Sequence, residues 1–101
     1  MKTLFFSLIL SLGFIATSPE TVTFTLLNKT AKSIPLKIPG VMNPNLSPFS
    51  NSGVELKIGQ KIFFIHKGKK QLLLIVTKDL ADKKLVVNKL IKERKRTLGL
   101  R

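Results

Sequence analysis

The sequence predicts an all-β domain, a small β-sandwich or partly open barrel of about six strands, completed by one C-terminal α-helix. Three observations carry that prediction. Residues 21–27, TVTFTLL, alternate Val22, Phe24 and Leu26 with threonines, the period of two that half-buries a strand. KIFFIH (61–66) and QLLLIV (71–76) are short apolar runs joined by KGKK, with a glycine where a tight hairpin needs φ > 0. Only beyond Asn88 does the spacing become helical, with Leu90, Ile91 and Leu98 in one arc.

The chain opens MKTLFFSLILSLGFIATSPE. Lys2 followed by an apolar run from Leu4 to Ile15 has the form of a secretory signal peptide and is short for a membrane-spanning helix. The expected division is a signal over 1–18 and one domain over 19–101. Small residues allow cleavage after Gly13 or after Ser18, and an uncleaved anchor is the alternative reading. About 83 residues remain, enough for one small core. With no cysteine in the chain, no disulfide can staple that core, and thiolate nucleophiles, thiolate metal sites and an N-terminal lipid-bearing cysteine are all excluded.

After the first strand NKTAK turns the chain, and Asn28-Lys29-Thr30 matches a glycosylation acceptor. SIPLKI (33–38) resumes an extended segment. Pro35 lacks an N–H for the ladder, which places that strand at a sheet edge. Residues 38–53, IPGVMNPNLSPFSNSG, carry no charge and four turn starters: Pro39-Gly40, Asn43-Pro44, Ser47-Pro48 and Asn51-Ser52-Gly53. Val41, Met42, Leu46 and Phe49 lie between them, some needing burial. This segment reads as an ordered loop rather than a linker, which would be glycine-rich or charged. VELKI (54–58) and KIFFIH flank Gly59-Gln60, a hairpin or a corner. KIFFIH and QLLLIV are apolar on both faces and belong at a sheet centre. TKDLADKK is turn-like and KLVV (84–87) is a last short strand. Asn88 is placed to cap a helix over 89–98 that ends at Gly99. Arg94 falls within the apolar arc of that helix, its head group reaching water or an acid.

Charge is the dominant compositional signal. Eighteen Lys and Arg face five acids, a net +13, or +12 once Lys2 leaves with the signal. Such a field draws polyanions, and it also keeps a β-protein soluble and blunts its edges. Two basic clusters stand out as anion contacts: Lys67, Lys69 and Lys70 at the hairpin tip, and Lys89, Lys92, Lys95 and Arg96 on the helix. Nucleic acid is disfavoured, because Tyr and Trp are absent and Phe24, Phe49, Phe63 and Phe64 mostly read as core. Catalysis is disfavoured too. His66 is the single histidine, beside KGKK, and Glu20, Glu55, Asp79, Asp82 and Glu93 are scattered, so the expectation is a non-enzyme. No metal and no cofactor is expected, since His66 and Met42 alone make no ligand set.

LKIGQKIFF resembles the strand–Gly–polar–strand step of cupredoxin-like sandwiches, without their copper ligands. SIPLKIPGVMNPNLSPFSNSGVELKIGQKIFFIHKGKK together with NKLIKERKRTLGL resembles short, signal-bearing, uncharacterised proteins of Gram-negative bacteria. That second resemblance implies an envelope location, periplasm or cell surface. The resulting expectation is an exported binding or accessory domain. It would meet an envelope protein or an anionic envelope component through the 41–52 loop (Val41, Met42, Asn43, Asn45, Leu46, Phe49, Asn51) and the basic clusters. Membrane contact would come only from peripheral charge or an uncleaved signal. The alternative is a structural subunit that docks by adding an edge strand such as Ser33–Ile38 to a partner sheet.

Overall fold

The computed structural model describes residues 20–100, so the segment 1–18 expected to be a signal lies outside the described residues. Seven strands form two sheets, followed by one helix. The strands are β1 (Thr21–Asn28), β2 (Ile34–Lys37), β3 (Asn45–Leu46), β4 (Ser50–Lys57), β5 (Lys61–His66), β6 (Lys69–Ile75) and β7 (Lys84–Val86), and the helix is α1 (Val87–Leu98). One sheet has the order β4-β1-β7 and the other β3-β2-β5-β6, and neither closes on itself.

β1 organises the first sheet. Its alternation turns Val22, Phe24 and Leu26 inward. It pairs antiparallel with β4 along its whole length, from Thr21 opposite Lys57 to Asn28 opposite Ser50, and parallel with β7 over Thr25–Leu27. Phe24 and Leu26 meet Leu36, Ile62 and Phe64 of the second sheet in a single core. Each of these side chains contributes about 1.5–3 kcal/mol by leaving water.

The seventh strand lies inside the segment expected to be a loop. Pro39-Gly40 does make a turn, with Gly40 at φ 79 and the Val41 N–H donating to the Ile38 carbonyl at 3.0 Å. The chain then runs back along β2: Met42 bridges Ile38, Leu36 N–H donates to Pro44 O at 2.8 Å, and Leu46 lies opposite Ile34. Residues 34–46 are thus a hairpin. Asn51-Ser52-Gly53, expected as a turn, belongs to β4 and pairs with Leu27, Leu26 and Thr25.

β2 is therefore not an edge strand, because β3 lies on one side of it and β5 on the other. Pro35 is tolerated because of its parity. The Leu36 N–H points at β3, so the missing N–H of Pro35 would point at β5, and the β2–β5 ladder begins one residue later at Leu36–Phe64. The edge is β6, which was expected at a sheet centre. α1 covers it instead of another strand: counting from the closing pair His66–Lys69, Leu72 turns its polar groups away from β5, and Arg94 Nε donates to Leu72 O at 2.8 Å. The Nε of Arg94 donates to a backbone carbonyl, and among the described residues its head group pairs with no acid.

β4 and β5 meet at a corner between the sheets, not in a hairpin. Gly59, at φ 95, donates to Val76 O, and Val76 N–H donates to Gln60 O, each at 2.8 Å. β5 and β6 do form a tight hairpin. Lys67 (φ 51) and Gly68 (φ 78) are both left-handed, as a two-residue turn requires when its twist matches the strands. Lysine is a poor choice at the first of these positions. Replacing Lys67 by asparagine is expected to raise stability by about 0.5 kcal/mol, read as a higher thermal midpoint.

The helix starts two residues earlier than expected. Val86 occupies the N-cap position and Asn88 is inside the first turn, its Oδ1 accepting from Lys29 N–H at 3.0 Å. Gly99, left-handed at φ 71, ends it by donating to the Lys95 and Arg96 carbonyls. Leu90 and Ile91 pack on the core, as does Leu100, whereas Leu98 stays exposed. No helix among the described residues is long and apolar enough to cross a membrane.

Candidate functional site

Ser47-Pro48-Phe49-Ser50 is a tight turn whose third residue has φ 50. Proline suits the second position, but the left-handed third position favours glycine or asparagine, and an aromatic residue there costs on the order of 1 kcal/mol. Phe49 N–H donates to Thr30 O at 3.1 Å and Ser50 Oγ donates to Ser47 O, so the turn is pinned. The ring gains nothing by burial, being 71% exposed. The sequence alone leaves Phe49 open between core and a partner contact of the 41–52 loop. Two local costs, a left-handed aromatic and a solvated ring, meet in one residue.

Beside the ring lies an open cleft of about 400 Å³, lined by Leu27, Asn28, Lys29, Phe49, Ser50, Asn51 and Lys84. The topology explains this set. The end of β1 and the start of β4 are in register at Leu27–Asn51, and the parallel β7 brings Lys84 alongside. The cleft joins an apolar wall, Phe49 and Leu27, to two lysines, Lys29 and Lys84, and none of the five acids lines it. Such a surface suits a group with an apolar body and an anionic flank.

Asn28 anchors the cleft and is the residue that sequence reasoning missed. It is 1% exposed and fully hydrogen-bonded. Its Nδ2 donates to Lys32 O at 2.7 Å, and to Leu46 O and Ser47 O at 3.1 Å each. Its Oδ1 accepts from Thr30 N–H at 2.9 Å and Thr30 Oγ1 at 2.7 Å. The matching glycosylation acceptor is thus a structural knot. The nitrogen that a sugar would need is buried and committed to three carbonyls. The Asn-x-Thr pattern is the one signal that could have found it, because an Asx turn uses the same spacing.

The other expected contacts of the 41–52 segment do not share one surface. Leu46 is buried in the core at 1% exposure. Val41 and Met42 are exposed but sit at the Ile38 end of the β2–β3 hairpin, whereas Phe49 follows its Leu46 end, about 13 Å away along the ladder. Asn43, Asn45 and Asn51 are exposed.

The basic residues divide similarly. Lys67 and Lys69 line a second cleft, also of about 400 Å³, with His66, Gln71, Gly99 and Leu100, so the hairpin tip meets the helix C-terminus. Lys95 and Arg96 belong to that last turn, where they also complement the helix dipole. Lys70 places its ammonium 4.6 Å from the centroid of the half-buried Phe63 ring. Lys89 and Lys92 lie toward the helix start, near the Lys29 that is bonded to Asn88. His66 is half-buried rather than fully solvated, and no Asp or Glu side chain lines its cleft among the described residues. Among the described residues no group of His, Asp and Glu side chains could hold a metal ion.

No family model matches the chain, and neither a curated protein nor a solved structure matches it.

Proposed function

We propose that this protein is a non-enzymatic exported domain of a bacterial envelope that holds an envelope protein or an anionic envelope component in the cleft beside Phe49. The observation that carries the reading is Phe49 itself, a left-handed aromatic residue 71% exposed between two lysines. Strain and exposure of this kind persist where a partner uses them. The net charge of +13 supports an anionic partner by raising encounter rates. Lys67, Lys69, Lys70, Lys89, Lys92, Lys95 and Arg96 act in this proposal as a diffuse attractive field rather than as one site. Val41 and Met42 form a separate, secondary contact. The finer architecture we propose is a partly open barrel. α1 touches β1 and β7 of one sheet and β6 of the other. Docking by adding Ser33–Ile38 to a partner sheet loses its support, because β2 already has neighbours on both sides.

The chain has no tryptophan, so Phe49→Trp creates a single fluorophore at the cleft. Titration with envelope extract is expected to shift its emission to the blue. Unlabelled native chain should reverse the shift, and Phe49→Ser chain with an unchanged thermal midpoint should not. Equal competition by both chains would overturn the proposal. So would a shift that disappears entirely at about 0.5 M salt, where screening shortens to a few ångströms, because the apolar wall would then contribute nothing.

A further inference from the structure

Among the described residues, the longest unpaired sheet edge lies next to the Phe49 cleft. β4 is eight residues long and ends the β4-β1-β7 sheet. The parity of its hydrogen bonds can be worked out from β1. Thr23 O accepts from Asp82 N–H and Thr25 N–H donates to Lys83 O, so Thr23 and Thr25 turn their polar groups toward the β7 side. Their register partners on β4, Glu55 and Gly53, consequently turn theirs outward, and Asn51 follows by alternation. Among the described residues no backbone group pairs with these three. Lys57, next in the series, is satisfied locally: its carbonyl accepts from Gln60 N–H, and its own N–H donates to Gln60 Oε1 at 3.4 Å. Three donors and three acceptors thus face solvent along about 14 Å of strand.

The other edges are managed. β6 is covered by α1 through Arg94, β3 has two residues, and β7 has three and runs directly into the helix. At the middle of the bare edge stands Gly53. No packing requires it, because a Cβ built there meets nothing within 4 Å. Its φ lies outside the left-handed range, so the backbone does not require it either. Glycine weakens a strand interior, and its common use there is the close approach of another backbone.

We infer that β4 accepts an extended acidic peptide segment as an added strand, its backbone pairing with Asn51, Gly53 and Glu55 and one of its apolar side chains resting on Phe49 and Leu27. The inference rests on the proposed Phe49 cleft and names the class of partner that would fill it. Charge selects an acidic segment over a second copy of this chain: two copies at +13 repel, whereas Lys29 and Lys84 in the cleft and Lys57 at the far end of β4 favour carboxylates. The mode of recognition is strand addition, in which main-chain bonds supply affinity and alternate side chains supply specificity.

The test uses the full chain and a capped heptapeptide of alternating glutamate and valine as probe. Binding is expected to slow amide exchange at Asn51, Gly53 and Glu55 and at no other strand edge. Gly53→Pro removes an outward N–H that makes no bond to β1, so the fold should survive while affinity falls at least about tenfold. Glu55→Pro is the second variant, on the same parity, should the first not fold. A probe methylated on alternate backbone nitrogens should fail to bind with its charge intact.

The outcomes separate the two proposals. If Phe49→Ser abolishes binding and Gly53→Pro does not, the cleft stands and strand addition is overturned. If Gly53→Pro abolishes binding and Phe49→Ser does not, the edge stands and the Phe49 reading falls. Absence of probe binding overturns the inference. It is equally overturned by dimerisation that Gly53→Pro prevents, since the occupant is then a second copy. Exchange protection of the three amides in the free, monomeric chain also overturns it, because the occupant is then the chain's own N-terminal segment.

Discussion

Asn28→Asp is expected to remove a large share of the domain's stability. The substitution preserves shape and replaces one amide donor by an acceptor, which then faces the carbonyls of Lys32, Leu46 and Ser47. A carboxylate cannot ionise there without a buried, unpaired charge, and a protonated acid supplies one donor where the amide supplied two. The expected cost is about 3–5 kcal/mol, against a total stability of about 4–12 kcal/mol for a domain of this size. Asn28→Ala, which leaves the carbonyls unsatisfied without adding charge, should cost less, about 3 kcal/mol. Urea unfolding followed by circular dichroism measures both. Equal midpoints for Asn28→Asp and the native chain would show that the knot contributes nothing to folding.

The second large effect is a contrast between two residues three positions apart. Leu46→Ala is expected to cost about 3 kcal/mol, because Leu46 is 1% exposed and its removal leaves a cavity between β3 and the core. Phe49→Ser should change stability by less than about 0.5 kcal/mol, since its ring makes no comparable burial. The same segment thus contains one side chain that holds the hairpin to the core and one that faces outward. Thermal midpoints of the two variants, taken side by side, decide it. If Phe49→Ser proves as damaging as Leu46→Ala, the ring packs in solution and the cleft loses its wall.

Much of the first sheet was legible because its signals are local. The alternation of Val22, Phe24 and Leu26 carries its own period, and in the second sheet the β5–β6 hairpin at Lys67-Gly68 is likewise announced by a glycine between two β-rich runs. The second sheet was harder to read. β3 has two residues, follows a proline and offers no alternation, so only its pairing with β2 identifies it as a strand. The edge assignment failed for the same reason. Pro35 does lack a donor, but whether that matters depends on the parity of hydrogen bonds to β3 and β5, which no single strand encodes. The site was legible only in part. Phe49 reads from the sequence as a contact of the 41–52 loop, yet its aromatic character argues equally for burial, and only the turn geometry separates the two. Lys29 and Lys84 come together through a parallel pairing between strands more than fifty positions apart. Asn28 advertises an Asx turn in its own neighbourhood, but the carbonyls that fix its worth arrive from residues 18 and 19 positions later.

β1 has one further consequence, for the order in which the molecule can be made. It is the first strand of the described chain to be synthesised, and one of its two neighbours is the last strand of all. Its sheet therefore stays incomplete until the ribosome has passed Val86. Contacts this distant slow folding, toward milliseconds and longer. Until then β1 can pair only with β4, whereas the second sheet, whose four strands all precede β7, can assemble first.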